Sequence, residues 1–184
     1  MKKILLFFIC CIFAFAFPNL VDAETPKTLT LMSYNCEIVR TDKEVEKRNN
    51  AFYDLCSAMG TNPINYAEGR NKINNYIKDN NIDRNSLFSK HNLIIYGKNV
   101  NADYVVYVEV KANHFYGSAS MFHTSIKMDA DINLRIINVN TGEEMLTEYS
   151  AVTGKRDKLL PCFIETVEKA KADIKLKNIL FSKN

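Results

Sequence analysis

Hydrophobic and polar positions alternate most regularly in the second half of the chain. Between Phe122 and Ile136, the residues Phe122, Ile126, Met128, Ala130, Ile132, Leu134 and Ile136 share one side. His123, Ser125, Lys127, Asp129, Asp131, Asn133 and Arg135 share the other. A period of two with one apolar side predicts an antiparallel strand with one wet face. Tyr104–Ala112 repeats the pattern, with Tyr104, Val106, Val108, Val110 and Ala112 opposing Glu109 and Lys111. Gly117-Ser118-Ala119-Ser120 reads as the turn between these strands. Asn140-Thr141-Gly142-Glu143 reads as a second turn, leading into a returning strand over Met145–Val152. Upstream, Thr28–Val39 reads as a strand with Thr30, Met32, Tyr34, Cys36 and Ile38 on one side. Leu29 and Leu31 on its other side suggest a central strand covered on both faces.

Helical spacing fills the intervals. Thr41-x-x-Glu44 fits a capping box, and Val45, Phe52, Leu55, Cys56 and Met59 form one stripe that ends at Gly60. Asn62-Pro63 restarts the chain. Tyr66, Ile73, Tyr76 and Ile77 line a weaker amphipathic helix in the Asn-rich stretch from Ile64 to Asn81. A third helix is expected from a cap at Asp83 or Asn85 to about Tyr96, with Leu87, Phe88, His91, Ile94 and Ile95 as its apolar side and Gly97 as its C-cap. A last helix runs from about Lys158 to Asn178, burying Leu160, Phe163, Ile164, Val167, Ala170 and Ile174, with Pro161 in its first turn. The Gly154–Asp157 segment closes the sheet region before it, and an apolar tail, Ile179-Leu180-Phe181, follows. The expected fold is α+β, a two-layer sandwich. It has a mainly antiparallel sheet of about four strands, helices on one face, and the order β-α-α-α-β-β-β-α.

The N-terminus sets the compartment. Met1-Lys2-Lys3 precedes an unbroken apolar run of 14 residues, Ile4–Phe17, broken by Pro18 and followed by Val21-Asp22-Ala23. This is the layout of a cleavable signal peptide over residues 1–23. As a helix the run spans about 21 Å, short of the roughly 30 Å hydrocarbon core of a bilayer. Phe7-Phe8-Ile9 before Cys10 lacks the small residues of a lipidation signal. A single domain is expected over 24–184, with 22 basic and 20 acidic side chains. That balance, a net of +2, supplies no large field for steering nucleic acid or anionic lipid. The chain has 21 Asn and no Asn-x-Ser/Thr sequon, which favours a bacterial protein exported to the periplasm or beyond the cell.

Several residues are candidates for chemistry. Cys36, Cys56 and Cys162 remain after signal removal. They read as small core residues, or as a Cys36–Cys56 bridge with one thiol left over. His114 and His123 bracket the first turn, but strand parity places them on opposite faces unless a bulge intervenes, so no metal pair is expected. Asp129-Ala130-Asp131-Ile132-Asn133 begins like a calcium loop, yet Leu134 stands where the loop needs glycine, and a solvated strand face is expected. Gly117–Ser120 is not a nucleophile elbow. Cys162 lies near a helix start, where a thiol pKa falls, with no CxxC partner or evident base. Lys169, Lys171, Lys175 and Lys177 are interspersed with Glu165, Glu168 and Asp173, as on a solvated face. No catalytic, cofactor or metal residues are assigned.

Two segments carry a family resemblance. Gly97-Lys98-Asn99-Val100-Asn101-Ala102-Asp103-Tyr104-Val105-Val106 leads from a helix end into a strand. Ile137-Asn138-Val139-Asn140-Thr141-Gly142 ends a strand in a hairpin turn. With the element order, residues 93–153 resemble bacterial envelope proteins sharing the fold of the TolB N-terminal domain, CsgG and LpoB. The resemblance implies a non-enzymatic protein that binds another envelope protein or assembles in the envelope, with no cofactor and no catalytic residues. The chain departs from those proteins in lacking a lipobox and pore-forming hairpins, and in its Asn-rich insert from Ile64 to Asn85. Two other classes are an exported enzyme using Cys162 or His114, and a self-assembling surface protein using a sheet edge.

Overall fold

The computed structural model describes residues 24–35, 39, 41–120, 123–153 and 159–177. The expected signal peptide, Cys36, Phe122, the Gly154–Asp157 segment and the tail lie outside these residues. The elements are β1 (Lys27–Tyr34), α1 (Asp42–Ala58), β2 (Asn62–Pro63), α2 (Tyr66–Asp79), a 3₁₀ turn (Arg84–Ser86), α3 (Lys90–Asn99), β3 (Tyr104–Ser120), β4 (His123–Asn138), β5 (Glu144–Thr153) and α4 (Leu159–Lys177). The α+β class and the expected order hold, with β2 as one added short strand.

The sheet order is β2-β1-β3-β4-β5. β1 pairs in parallel with both β2 and β3, whereas β3, β4 and β5 are antiparallel. β1 is central, and Thr28 through Met32 are all buried. Its far end is closed by a side chain: Asn35 accepts from the Ala112 N–H at 2.7 Å and donates to the Ala112 carbonyl at 3.0 Å.

α1 starts on the expected capping box. The Glu44 N–H donates to the Thr41 hydroxyl at 3.3 Å, and the Thr41 N–H donates to the Glu44 carboxylate at 3.0 Å. Gly60 ends the helix at φ +69°, a conformation that side chains disfavour. A buried polar chain then ties β1 to α1 through the loop after the helix. Thr28 donates to Thr61 at 2.7 Å, and Thr61 to the Cys56 carbonyl at 3.2 Å.

The layering differs from the expected two layers. On one face, Phe52 and Leu55 of α1 with Phe163 and Val167 of α4 pack against Val106, Val108, Ile132, Leu134 and Ile136. On the opposite face, Ile73 of α2 with Leu93 and Tyr96 of α3 pack against Leu29, Leu31, Val105, Tyr107 and Ile137. Helices therefore cover both faces. The cause is local: Val105 and Tyr107, between the even-numbered core residues of β3, make its second side apolar where it adjoins β1. The wet face survives farther out, where Asp129, Asp131, Asn133 and Arg135 of β4 are half-buried.

Three local expectations also change. Asp83 caps only the 3₁₀ turn, and Ser89 caps α3 by accepting from the Asn92 N–H, so the third helix starts later and His91 is exposed. Gly97 is not a C-cap but lies inside α3, pressed onto Val139 and Val105 of the sheet region. Gly117–Ser120 is not a turn. β3 runs through it to Ser120, which pairs with His123, while Asn140–Glu143 does turn the chain, with Gly142 at φ +74°.

Candidate functional site

The β3–β4 register shifts between Ala112 and His114. This bulge removes the parity argument about the histidines, because past it even-numbered positions of β3 oppose odd-numbered positions of β4. His114 pairs with Asp129, and His123 with Ser120. The two histidines are still separated by six residues of strand, on the order of 20 Å, so the bulge creates no metal pair. Among the described residues no group of three or more His, Cys, Asp or Glu is placed to hold a metal.

The Asp129–Asn133 segment is strand, as expected, and Asn113 at the bulge donates to the Asp131 carboxylate. Cys56 is a buried free thiol, pushed up to about 11 mainly by burial, with hydrogen bonds from Thr61 and Thr28 opposing the rise. A thiol so raised is a poor nucleophile at neutral pH. Cys162 is a half-buried thiol on α4, over the sheet face that Val106 and Ile132 occupy. Asp129 is half-buried on the other face of β4 from Ile132, and His114 is its register partner. On α4, Lys169 pairs with Glu165 and Lys171 with Glu168, as on a balanced solvated surface.

Two features stand out as binding surfaces. The first is a ribbon. β1 stops pairing at Val110, and β5 at Met128. Past Phe115 and Met128, β3 and β4 pair only with each other among the described residues, through Tyr116–Ser120 and His123–Lys127. That is five residues per strand, about 17 Å. A two-stranded ribbon alone is marginally stable in water and gains most from being covered.

The second lies at the β2 edge of the sheet. Thr30, Asn49, Asn50, Phe52, Tyr53, Pro63, Ile64, Asn65 and Tyr66 surround a cavity of about 240 Å³. Asn65 caps α2 by accepting from the Ala67 and Glu68 N–H groups, so the positive end of that helix faces the rim. Behind the wall lies Arg48, 6% exposed, its guanidinium carbon 4.0 Å from the centre of the Tyr66 ring. Arg48 Nε and Nη2 donate to the Asn49 side-chain oxygen at 3.1 and 2.9 Å. Burial pushes the Tyr66 phenol up, while Arg48 and Arg70 pull it down. Sequence reasoning missed this site because an arginine on an amphipathic helix reads as a solvent-facing residue. The adjacent Arg48-Asn49-Asn50 polar run was its one trace.

No protein-family model matches the chain, and no curated protein does. Among solved structures, the chain is similar to the LpoB C-terminal domain from Salmonella enterica at 15% identity and TM-score 0.41, over 70% of this chain and 84% of that one. It is similar to lipoprotein GNA1162 from Neisseria meningitidis at 13% identity and TM-score 0.44, over 80% of this chain and 99% of that one. It is also similar to the PelC dodecamer from Paraburkholderia phytofirmans at 11% identity and TM-score 0.35, over 79% and 84%.

Proposed function

We propose that the chain is an exported, non-enzymatic module of the bacterial cell envelope that binds another envelope protein, with TolB, CsgG and LpoB as its relatives in architecture. The β3–β4 ribbon carries this reading. Among the described residues it offers two strand edges beyond the five-stranded body, and strand edges recruit partner backbone by adding hydrogen-bonded pairs. The signal-like N-terminus supports export. Among the described residues no helix is long and apolar enough to cross a membrane.

A photo-crosslinking residue at Ser118, compared in living cells with one at exposed Lys47 of α1, tests the partner reading. A discrete adduct from position 118 and none from position 47 is expected. Adducts that do not depend on the ribbon would reject it. Mass measurement of the cellular protein tests export, with a mature chain beginning at Glu24 expected. A thiol-reactive probe tests the rival enzyme reading, which requires rapid labelling of Cys162 in the folded protein. Self-assembly is favoured by one observation: β5 is an edge strand on which Leu146 is 52% exposed. Concentration-dependent light scattering separates that reading from a partner-binding monomer.

A further inference from the structure

The two edges of the sheet are not equally protected. β2 is two residues long and ends in Pro63, which has no N–H to offer. β5 runs for ten residues in unbroken register with β4 and has no strand on its other side among the described residues. It contains no Pro, no Lys and no bulge, the usual devices against strand addition. One face of this edge is also open. Leu146 and Glu148 are exposed there. Helices α2 and α3 pack on β1, β3 and Ile137 of β4, and no β5 residue joins that core.

The charge beside Leu146 is acidic. Leu146 and Glu148 are the register partners of Arg135 and Asn133. Arg135 is bound to Glu144, and Lys111 to Glu109 at 3.0 Å. Glu148 has no ionic partner among the described residues.

We propose that the β5 edge is a docking site for an extended segment of another protein, with an apolar side chain opposite Leu146 and a Lys or Arg two residues away, opposite Glu148. Main-chain hydrogen bonds to β5 supply the affinity, and alternate side chains supply the selection. A second copy of this chain fits less well. Setting Leu146 opposite its own copy brings Glu144 against Glu148 in an antiparallel pair, and each acid against itself in a parallel one. Like charges directly opposite each other destabilise a sheet. The inference rests on the partner-binding reading above but uses a different surface from the ribbon.

The test is a titration of the full protein, followed by backbone amide resonances, with the capped peptide Thr-Lys-Val-Leu-Val-Lys-Thr. A reference peptide carries Glu in place of both Lys. Saturating shifts over 145–149 are expected from the lysine peptide, with binding about threefold tighter than the reference or better. Glu148→Lys, at an exposed position, is expected to reverse the preference between the two peptides and to leave the melting temperature unchanged. Leu146→Thr, which keeps a strand-forming residue, is expected to weaken both peptides by about threefold or more. Absence of saturation, equal affinity for the two peptides, or an unreversed preference in Glu148→Lys would each overturn the inference. Shifts confined to 116–120 would overturn it while leaving the ribbon reading in place. Concentration-dependent broadening of the 144–153 amides without peptide would overturn it in favour of a second copy.

Discussion

Gly97 shows how much a single hydrogen atom can decide. A methyl group built there meets Val139 Cγ2 at 2.5 Å and Val105 Cγ2 at 2.9 Å. Both neighbours are β-branched and stiff, so they cannot rotate away cheaply. Gly97→Ala therefore gains up to about 1 kcal/mol of helix propensity and loses more to overpacking, for a net destabilisation of about 1–2 kcal/mol. Urea denaturation reads this directly, and a stabilised variant would contradict the close packing of α3. The same residue marks a limit of reading sequence. A glycine after an apolar stripe has the pattern of a helix stop, and only the approach of the sheet distinguishes a stop from a contact. Arg48 was hidden for a parallel reason, since its burial depends on Tyr66 arriving from α2, a separate helix 18 positions later.

Among the elements, those governed by local chemistry were legible. The Thr41–Glu44 box, the stripe of α4 and the Asn140–Gly142 turn all rest on groups within a few residues of each other. Thr41→Ala is expected to lower stability by about 1 kcal/mol, because the first turn of α1 loses an acceptor. On α4, Phe163 is fully buried and meets Phe52 edge-on at 5.4 Å between ring centres, joining α4 to α1 across the chain. Phe163→Ala is expected to cost about 3–5 kcal/mol, visible as a large fall in denaturation midpoint. The bulge was not legible, because one extra residue leaves no compositional mark. It appears only when the β3 and β4 registers are laid side by side, with Asn113 skipped. The second helical layer was hidden too: Val105 and Tyr107 sit among the strand's even-numbered core residues, and the polar pair Glu109 and Lys111 drew the eye to a wet face.

At the scale of the whole molecule, buried titratable groups on α1 and β3 are held neutral. Burial pushes the Cys56 thiol up to about 11 and, against the hydrogen bond with Ser33, the Tyr107 phenol up to about 12. Both lie above the ordinary values of 9.0 and 10.0. The stability each contributes is fully present below its ordinary value and drains away as pH climbs toward the folded value. Denaturant midpoints measured from pH 7 upward are expected to stay level to about pH 9 and then fall steadily to about pH 12. A decline already under way between pH 7 and 8 would mean that these groups are not sealed from water.

The amide of Asn35 has a mechanical meaning. By imitating one more peptide unit opposite Ala112, it extends the parallel ladder past Tyr34 and anchors β3 one residue before the bulge. The ribbon thus resembles a lever on a fixed fulcrum. A pull on the ribbon would bear on this clamp before it reached the β1–β3 pairing.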